Sequence, residues 1–105
     1  MVKRLPTLVV GGGHNGLVCA CYLARAGEEV VVLEQAAEVG GAVHTAETIP
    51  GFRFDSHSVA HNMINMTDIP EDLDLAACGL EYQEMDPFTT ALSPTGAPFR
   101  MYRSI

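Results

Sequence analysis

The run Leu8-Val9-Val10-Gly11-Gly12-Gly13-His14-Asn15-Gly16 constrains this chain more than any other stretch, because an apolar strand leads directly into a glycine-rich turn. The glycines at 11, 13 and 16 have the spacing GxGxxG, a weak signal when it stands alone. Its surroundings sharpen it. Ala20 lies four residues after Gly16, and Gly27 closes the helical segment that follows. A second apolar strand, Val30-Val31-Val32-Leu33, then ends in Glu34. Strand, tight turn, helix, strand and acid in this order describe a βαβ unit opened by a glycine loop.

Each of these residues has a physical task in a unit that binds a dinucleotide. Gly11 permits a tight turn where a side chain would force a disfavoured backbone conformation. Gly13 lets the main chain approach a pyrophosphate with no Cβ between them, and Gly16 with small Ala20 lets the helix pack close to the sheet. The N–H groups of the first helical turn, around His14 and Asn15, face the phosphates, whose charge the helix dipole favours. Glu34, eighteen residues beyond Gly16, is placed to accept hydrogen bonds from an adenosine ribose, with Gln35 beside it. A carboxylate there disfavours a 2′-phosphate, so NADP is the least favoured ligand.

The 105 residues suffice for one small domain. A formal net charge of −7 argues against electrostatic binding of nucleic acid or of an anionic membrane surface. The longest apolar run, residues 17–24, has eight residues, whereas a membrane span needs about 20. Met1-Val2-Lys3-Arg4 is basic, but the apolar stretch after it is short and lacks a small-residue cleavage site, so no signal peptide is read. Cys19 and Cys21, two apart on a helix, project about 200° apart and cannot bridge each other. Cys78 stands alone, and the absence of C-x-x-C supports neither a redox pair nor a zinc knuckle. The three are expected to be buried thiols in a reducing, cytoplasmic compartment.

Residues 5–10 predict a buried parallel strand that pairs only after Pro6, which has no N–H. Residues 15–26 predict a helix stopped by Gly27. Between 17 and 24 this helix is apolar around its whole circumference, the mark of a helix buried on most sides. Two strands and a few hairpins cannot cover it, and a doubly wound domain needs more parallel strands than two. The chain is therefore expected to be the front end of a larger protein or one part of an assembly. Taken alone, it should expose one side of residues 17–24 and pair with its remainder, another chain or itself.

After Glu34 the chain makes a short loop to Gly40-Gly41 where a nicotinamide-binding unit would continue into a crossover helix. Gly-Gly is an ordinary loop signal by itself, but it also gives N–H groups a second approach to a phosphate. Thr45 offers a hydroxyl donor nearby. Pro50-Gly51 predicts the turn of a hairpin over 48–55. His57 and His61, four apart, would share one face if the segment were helical, yet no third ligand is in view and no metal site is expected. A helix is expected to begin near Asp68, with Pro70 in its first turn, and to end at Cys78-Gly79. Residues 80–85, 88–92 and 97–102 predict strands, the last two joined by a turn at 93–96. Residues 1–55 thus read as the βαβ unit with its second glycine pair, and 56–105 as the start of a helical and antiparallel substrate-side region.

With both glycine clusters in hand, the sequence resembles the N-terminal portion of phytoene-desaturase-like FAD-dependent oxidoreductases, relatives of flavin amine oxidases. The matching stretches are VVGGGHNGL (9–17), Ala20, Gly27, VVVLE (30–34), VGGAVHT (39–45) and PGFRFD (50–55). The resemblance covers the layout of the whole chain, but only about the first 55 residues carry strong motifs. It implies an α/β, Rossmann-like unit of the glutathione-reductase type with short β-hairpins, incomplete in this chain, and FAD as cofactor. The implied cofactor-binding residues are Gly11, Gly13, His14, Asn15, Gly16, Glu34, Gln35, Gly40, Gly41 and Thr45. Ala42 stands where many relatives have arginine, and His57 where some have glycine.

The expected function is the FAD-binding portion of an oxidoreductase of dehydrogenase or desaturase type, passing hydride from a small apolar or amine-like carbon substrate to flavin. No residue forms an acid–base pair that would name a catalytic group. Two other readings stay open: a non-catalytic nucleotide-binding module or subunit that needs a partner chain, and part of an NAD-dependent dehydrogenase.

Overall fold

In the computed structural model, which describes residues 5–103, strands β1 (Thr7–Val10) and β2 (Val30–Leu33) lie parallel, with Thr7 opposite Val30 and Val10 opposite Leu33. Pairing begins after Pro6, as its missing N–H requires, and the Thr7 N–H donates to the Glu29 carbonyl at 2.8 Å. Helix α1 (His14–Arg25) connects the two strands. It ends in a Schellman arrangement around Gly27, whose φ is +86°. The Glu28 N–H donates to the Leu23 carbonyl and the Gly27 N–H to the Ala24 carbonyl, satisfying two of the helix's last acceptors. The expectation for Met1 to Arg4 lies outside the described residues.

Strand alternation gives this small sheet two unlike faces. Thr7, Val9, Val30 and Val32 are half-buried on the side of α1, whereas Leu8, Val10, Val31 and Leu33 are exposed on the other. Among the described residues Ala20 is the only buried hydrophobic one. A sheet two strands wide covers only the stripe of α1 around Ala20, so Cys19, Cys21, Tyr22 and Ala24 are exposed while Leu17, Val18 and Leu23 are half-buried. The expected exposure of one side of this helix is found. The expected burial of the thiols is not: Cys19, Cys21 and Cys78 are all free and exposed.

Strands β3 (Thr45–Ile49) and β4 (Phe52–Asp55) form the expected antiparallel hairpin, starting three residues earlier than the sequence suggested. Pro50 and Gly51 make its turn, Gly51 at φ +84°, a conformation a side chain resists. Residues 57–61 are not helical, so His57 and His61 share no helix face, and no three potential metal ligands converge among the described residues. Helix α2 (Ile69–Asp72) stops well short of Cys78. Asp74 takes a left-handed φ of +49°, letting the Leu75 N–H reach the Pro70 carbonyl and the Asp74 N–H that of Glu71. Aspartate is one of the few side chains that visit this conformation, so it closes the helix where no glycine announces an end. The Tyr22 hydroxyl donates to Asp72 Oδ2 at 2.6 Å and ties α2 to α1.

The chain divides into two compact units, Met1–Leu75 and Ala76–Ile105. Residues 56–75 stay with the first unit through bonds such as Tyr22 to Asp72 and the Ser58 N–H to the Ala42 carbonyl. In the second unit, β5 (Thr89–Ala91) and β6 (Phe99–Met101) pair antiparallel, within the two strands expected at 88–92 and 97–102. Residues 80–85 form no strand: they have no ladder partner among the described residues, and side-chain alternation alone does not make one. Glu84 forms an ion pair with Arg103, whose N–H also donates to Asp86 Oδ1 at 3.3 Å. No helix among the described residues is long and apolar enough to cross a membrane.

Candidate functional site

The site lies at the carboxyl ends of β1 and β2. Gly11 leaves β1 at φ +101°, and its N–H donates to the Leu33 carbonyl at 2.7 Å. The first turn of α1 lies against this backbone so closely that a Cβ on Gly16 would stand 2.0 Å from the Gly11 oxygen. The tight contact of Gly16 is thus with the glycine turn itself, with Val9 Cγ1 farther off at 3.5 Å. Gly13 is the N-cap, with no side chain capping the helix, and its carbonyl accepts the first helical bond from the Leu17 N–H at 2.9 Å. The N–H groups at His14, Asn15 and Gly16 therefore have no carbonyl in a preceding turn to bond. Space above Gly13 is open: a Cβ there would meet only the Cα of Gly41, at 4.0 Å.

That neighbour arrives from the loop after β2. Instead of entering a helix, residues 34–40 fold back, and the Gly40 N–H donates to the Gly12 carbonyl at 2.8 Å. Gly13 and Gly40 form a parallel bridge. Gly40 and Gly41 both take positive φ, +123° and +56°, and a Cβ on Gly41 would come within 3.0 Å of the Gly13 Cα. The two glycine clusters are therefore one structure, with bare backbone on both sides of the α1 N-terminus.

Glu34 sits where β2 meets this cradle, and both of its carboxylate oxygens are already held. Oε1 accepts the Ala36 N–H at 2.9 Å and Oε2 the Gly12 N–H at 2.7 Å. These donors, Ala36 foremost, with a smaller contribution from the Gln35 N–H, favour the charged form and hold the carboxyl below its ordinary value of 4.5. Each oxygen keeps a second lone pair for a hydroxyl donor. Beside it a cavity of about 470 Å³ is lined by Glu34, Ala36, Glu38, Gly41, His44 and His57, among others. His44 Nε2 and Glu38 Oε2 lie 2.8 Å apart at its edge.

The structure gathers Gly11, Gly13, His14, Asn15, Gly16, Glu34, Gly40 and Gly41 at one end of the sheet. Gln35 is an exposed neighbour in the loop. The Thr45 hydroxyl donates to Asp55 Oδ1 at 2.6 Å across the β3–β4 hairpin. Sequence reasoning passed over Gly12, which occupies a position where GxGxxG admits any residue. Its only signal was an unneeded glycine in the run 11–13.

A family model for NAD(P)-binding Rossmann-like domains matches residues 9–71. The chain is 39% identical over 101 residues to a limonene dehydrogenase subunit of Castellaniella defragrans, an alignment that takes in 96% of this chain and 18% of that protein. It is 39% identical over 99 residues to the mouse pyridine nucleotide-disulfide oxidoreductase domain-containing protein 2, covering 93% of this chain and 17% of the other. Over 47 residues it is 53% identical to carotenoid 3,4-desaturase of Haloarcula japonica, 45% of this chain and 9% of the desaturase. The chain thus spans less than a fifth of the length of these curated relatives.

Proposed function

The chain belongs to the NAD(P)-binding Rossmann-like domain family, and from that premise we propose that it is the FAD-binding portion of a flavin-dependent oxidoreductase. The observation that carries FAD over a nicotinamide dinucleotide is the fold-back after β2, where the Gly40 N–H bonds the Gly12 carbonyl in place of a crossover helix. The residues present fit a dinucleotide pyrophosphate. The space that a Cβ on Gly13 would fill is open, and α1 has no side-chain cap competing for its first N–H groups. His14, Asn15 and Gly16 would hold the pyrophosphate through the first N–H groups of α1 and Gly13 would leave it room, while Gly11, its N–H held by Leu33, shapes the turn, and Gly40, its N–H held by Gly12, brings Gly41 up from the other side. Glu34 would receive the adenosine ribose, flanked by Gln35, and Thr45 would act through its oxygen.

Bound flavin supplies hydride acceptance from a carbon substrate. The chain's own residues bind and orient it, and bare glycine backbone excludes side chains from its phosphates. Relatives named for limonene and for a carotenoid favour an apolar substrate over an amine. Three free thiols fit a reducing, cytoplasmic setting.

A second reading, a nucleotide-binding subunit that acts only with a partner chain, draws on the exposed side of α1 and on a relative named as a subunit. The visible absorption spectrum of the protein purified from its source, with its mass measured alongside, tests both. Oxidised-flavin bands at about one FAD per chain, lost in a folded Gly13→Val variant, support the first reading. Preference for NAD with no flavin bands overturns it. Turnover without any added chain removes the second.

A further inference from the structure

Gly12 has no conformational need to be glycine, since unlike Gly11 its φ is not positive. Its surroundings supply the need. A Cβ there would stand 2.9 Å from Val39 Cγ1 and 3.2 Å from both Cβ and Oε2 of Glu34. The same residue's N–H holds Oε2 at 2.7 Å, and its carbonyl takes the Gly40 N–H at 2.8 Å. Ala36 holds the other carboxylate oxygen at 2.9 Å. The carboxylate is thus gripped by a close backbone N–H at each oxygen, with a weaker hold from the Gln35 N–H, in charge-assisted bonds stronger than neutral ones.

Such a grip decides what the carboxylate can still accept. Each oxygen has two lone pairs and has used one on its close backbone donor. The two that remain belong to one rigid plane and match the two donors of a vicinal diol. Replacing one hydroxyl by hydrogen leaves an acceptor empty, and replacing it by phosphate sets two negative charges together.

We propose that Gly12 is a positioning residue for ribose selectivity: acting through Glu34, it makes the site favour a dinucleotide whose adenosine ribose has both hydroxyls free. The inference rests on the flavin reading above and deepens it. Its test compares the affinity of the purified protein for FAD and for the analogue built on 2′-deoxyadenosine, in wild type, Gly12→Ala, Gly12→Ala/Val39→Ala and Val39→Ala, with circular dichroism confirming the fold.

Wild type and Val39→Ala should prefer FAD by about tenfold, the scale of one hydrogen bond to a charged acceptor. Gly12→Ala should bring that ratio close to one. The double variant relieves the contact with Val39 while leaving both contacts with Glu34, so it keeps the fold yet loses the preference. A folded Gly12→Ala or double variant that discriminates as wild type does overturns the role of Gly12 and leaves the flavin reading standing. If wild type binds NAD and not FAD, the flavin reading fails alone, and the same ratio measured with NAD and its 2′-deoxyadenosine analogue decides for or against Gly12. Binding of neither dinucleotide overturns both.

Discussion

Gly16→Ala should drive α1 away from the turn that begins it. The added methyl would lie 2.0 Å from the Gly11 carbonyl oxygen, 3.2 Å from its carbon and 3.5 Å from Val9 Cγ1. Reaching even 3.0 Å requires a shift of about 1 Å, and close-packed surroundings offer little room for it. The oxygen cannot retreat easily, because the Gly11 N–H is bonded to Leu33 at 2.7 Å and its φ of +101° has few alternatives. Overpacking of this kind costs about 1–3 kcal/mol. It should appear as a lower urea midpoint with an unchanged slope.

Gly13→Ala is the matched control. Its backbone, φ −72° and ψ 172°, suits any residue, and its methyl would meet only the Gly41 Cα at 4.0 Å. Stability should therefore stay within about 0.5 kcal/mol of wild type, while dinucleotide affinity falls because the methyl stands in the proposed pyrophosphate space. Urea unfolding followed by circular dichroism, and a dinucleotide titration of each folded variant, separate the two effects. A Gly16→Ala midpoint equal to that of wild type would refute the close approach of α1 to the turn. Full affinity in Gly13→Ala would take Gly13 out of the site.

Gly51→Ala should destabilise the β3–β4 hairpin by about 1 kcal/mol, because alanine resists the left-handed region that φ +84° occupies; the urea midpoint checks it. Glu34→Gln should weaken dinucleotide binding by about tenfold or less, since the amide oxygen still accepts while the amide nitrogen, a donor only, loses the bonds made at the other oxygen. The same variant bears on acid stability. The fold holds the Glu34 carboxyl below 4.5, so its contribution is complete above that value and is lost as pH falls through the lowered one. Urea midpoints measured below pH 4.5 should fall less steeply in Glu34→Gln than in wild type. The bare face formed by Leu8, Val10, Val31 and Leu33 should drive self-association of the isolated chain, visible by sedimentation, and Leu8→Lys with Leu33→Glu should shift it toward monomer.

Whatever one residue type can impose on its own backbone was legible before the chain folded. Pro6 delayed the start of β1 because it has no N–H to give. Gly27 and Gly51 marked a helix end and a turn because positive φ excludes most side chains. The glycines at 11, 13 and 16 and the acid at 34 were legible for the same reason, each demanded locally by a turn, a close approach or a strand end. Legibility failed where the outcome depended on a partner. Residues 80–85 have strand composition and no ladder among the described residues, α2 ends on an aspartate that only its hydrogen bonds reveal, and Cys19 and Cys21 are exposed because a two-stranded sheet covers one stripe of α1.

Joining the two glycine clusters into one cradle was the work of tertiary contacts. The bond from the Gly40 N–H to the Gly12 carbonyl, and that from the Gly12 N–H to Glu34, connect segments more than twenty residues apart. No local preference encodes such contacts; they form because the parallel register of β1 and β2 sets Gly11 beside Leu33 and carries the following loop back over the turn. Gly12 therefore looked dispensable in the sequence and, once the chain had folded, joined Ala36 in holding the carboxylate.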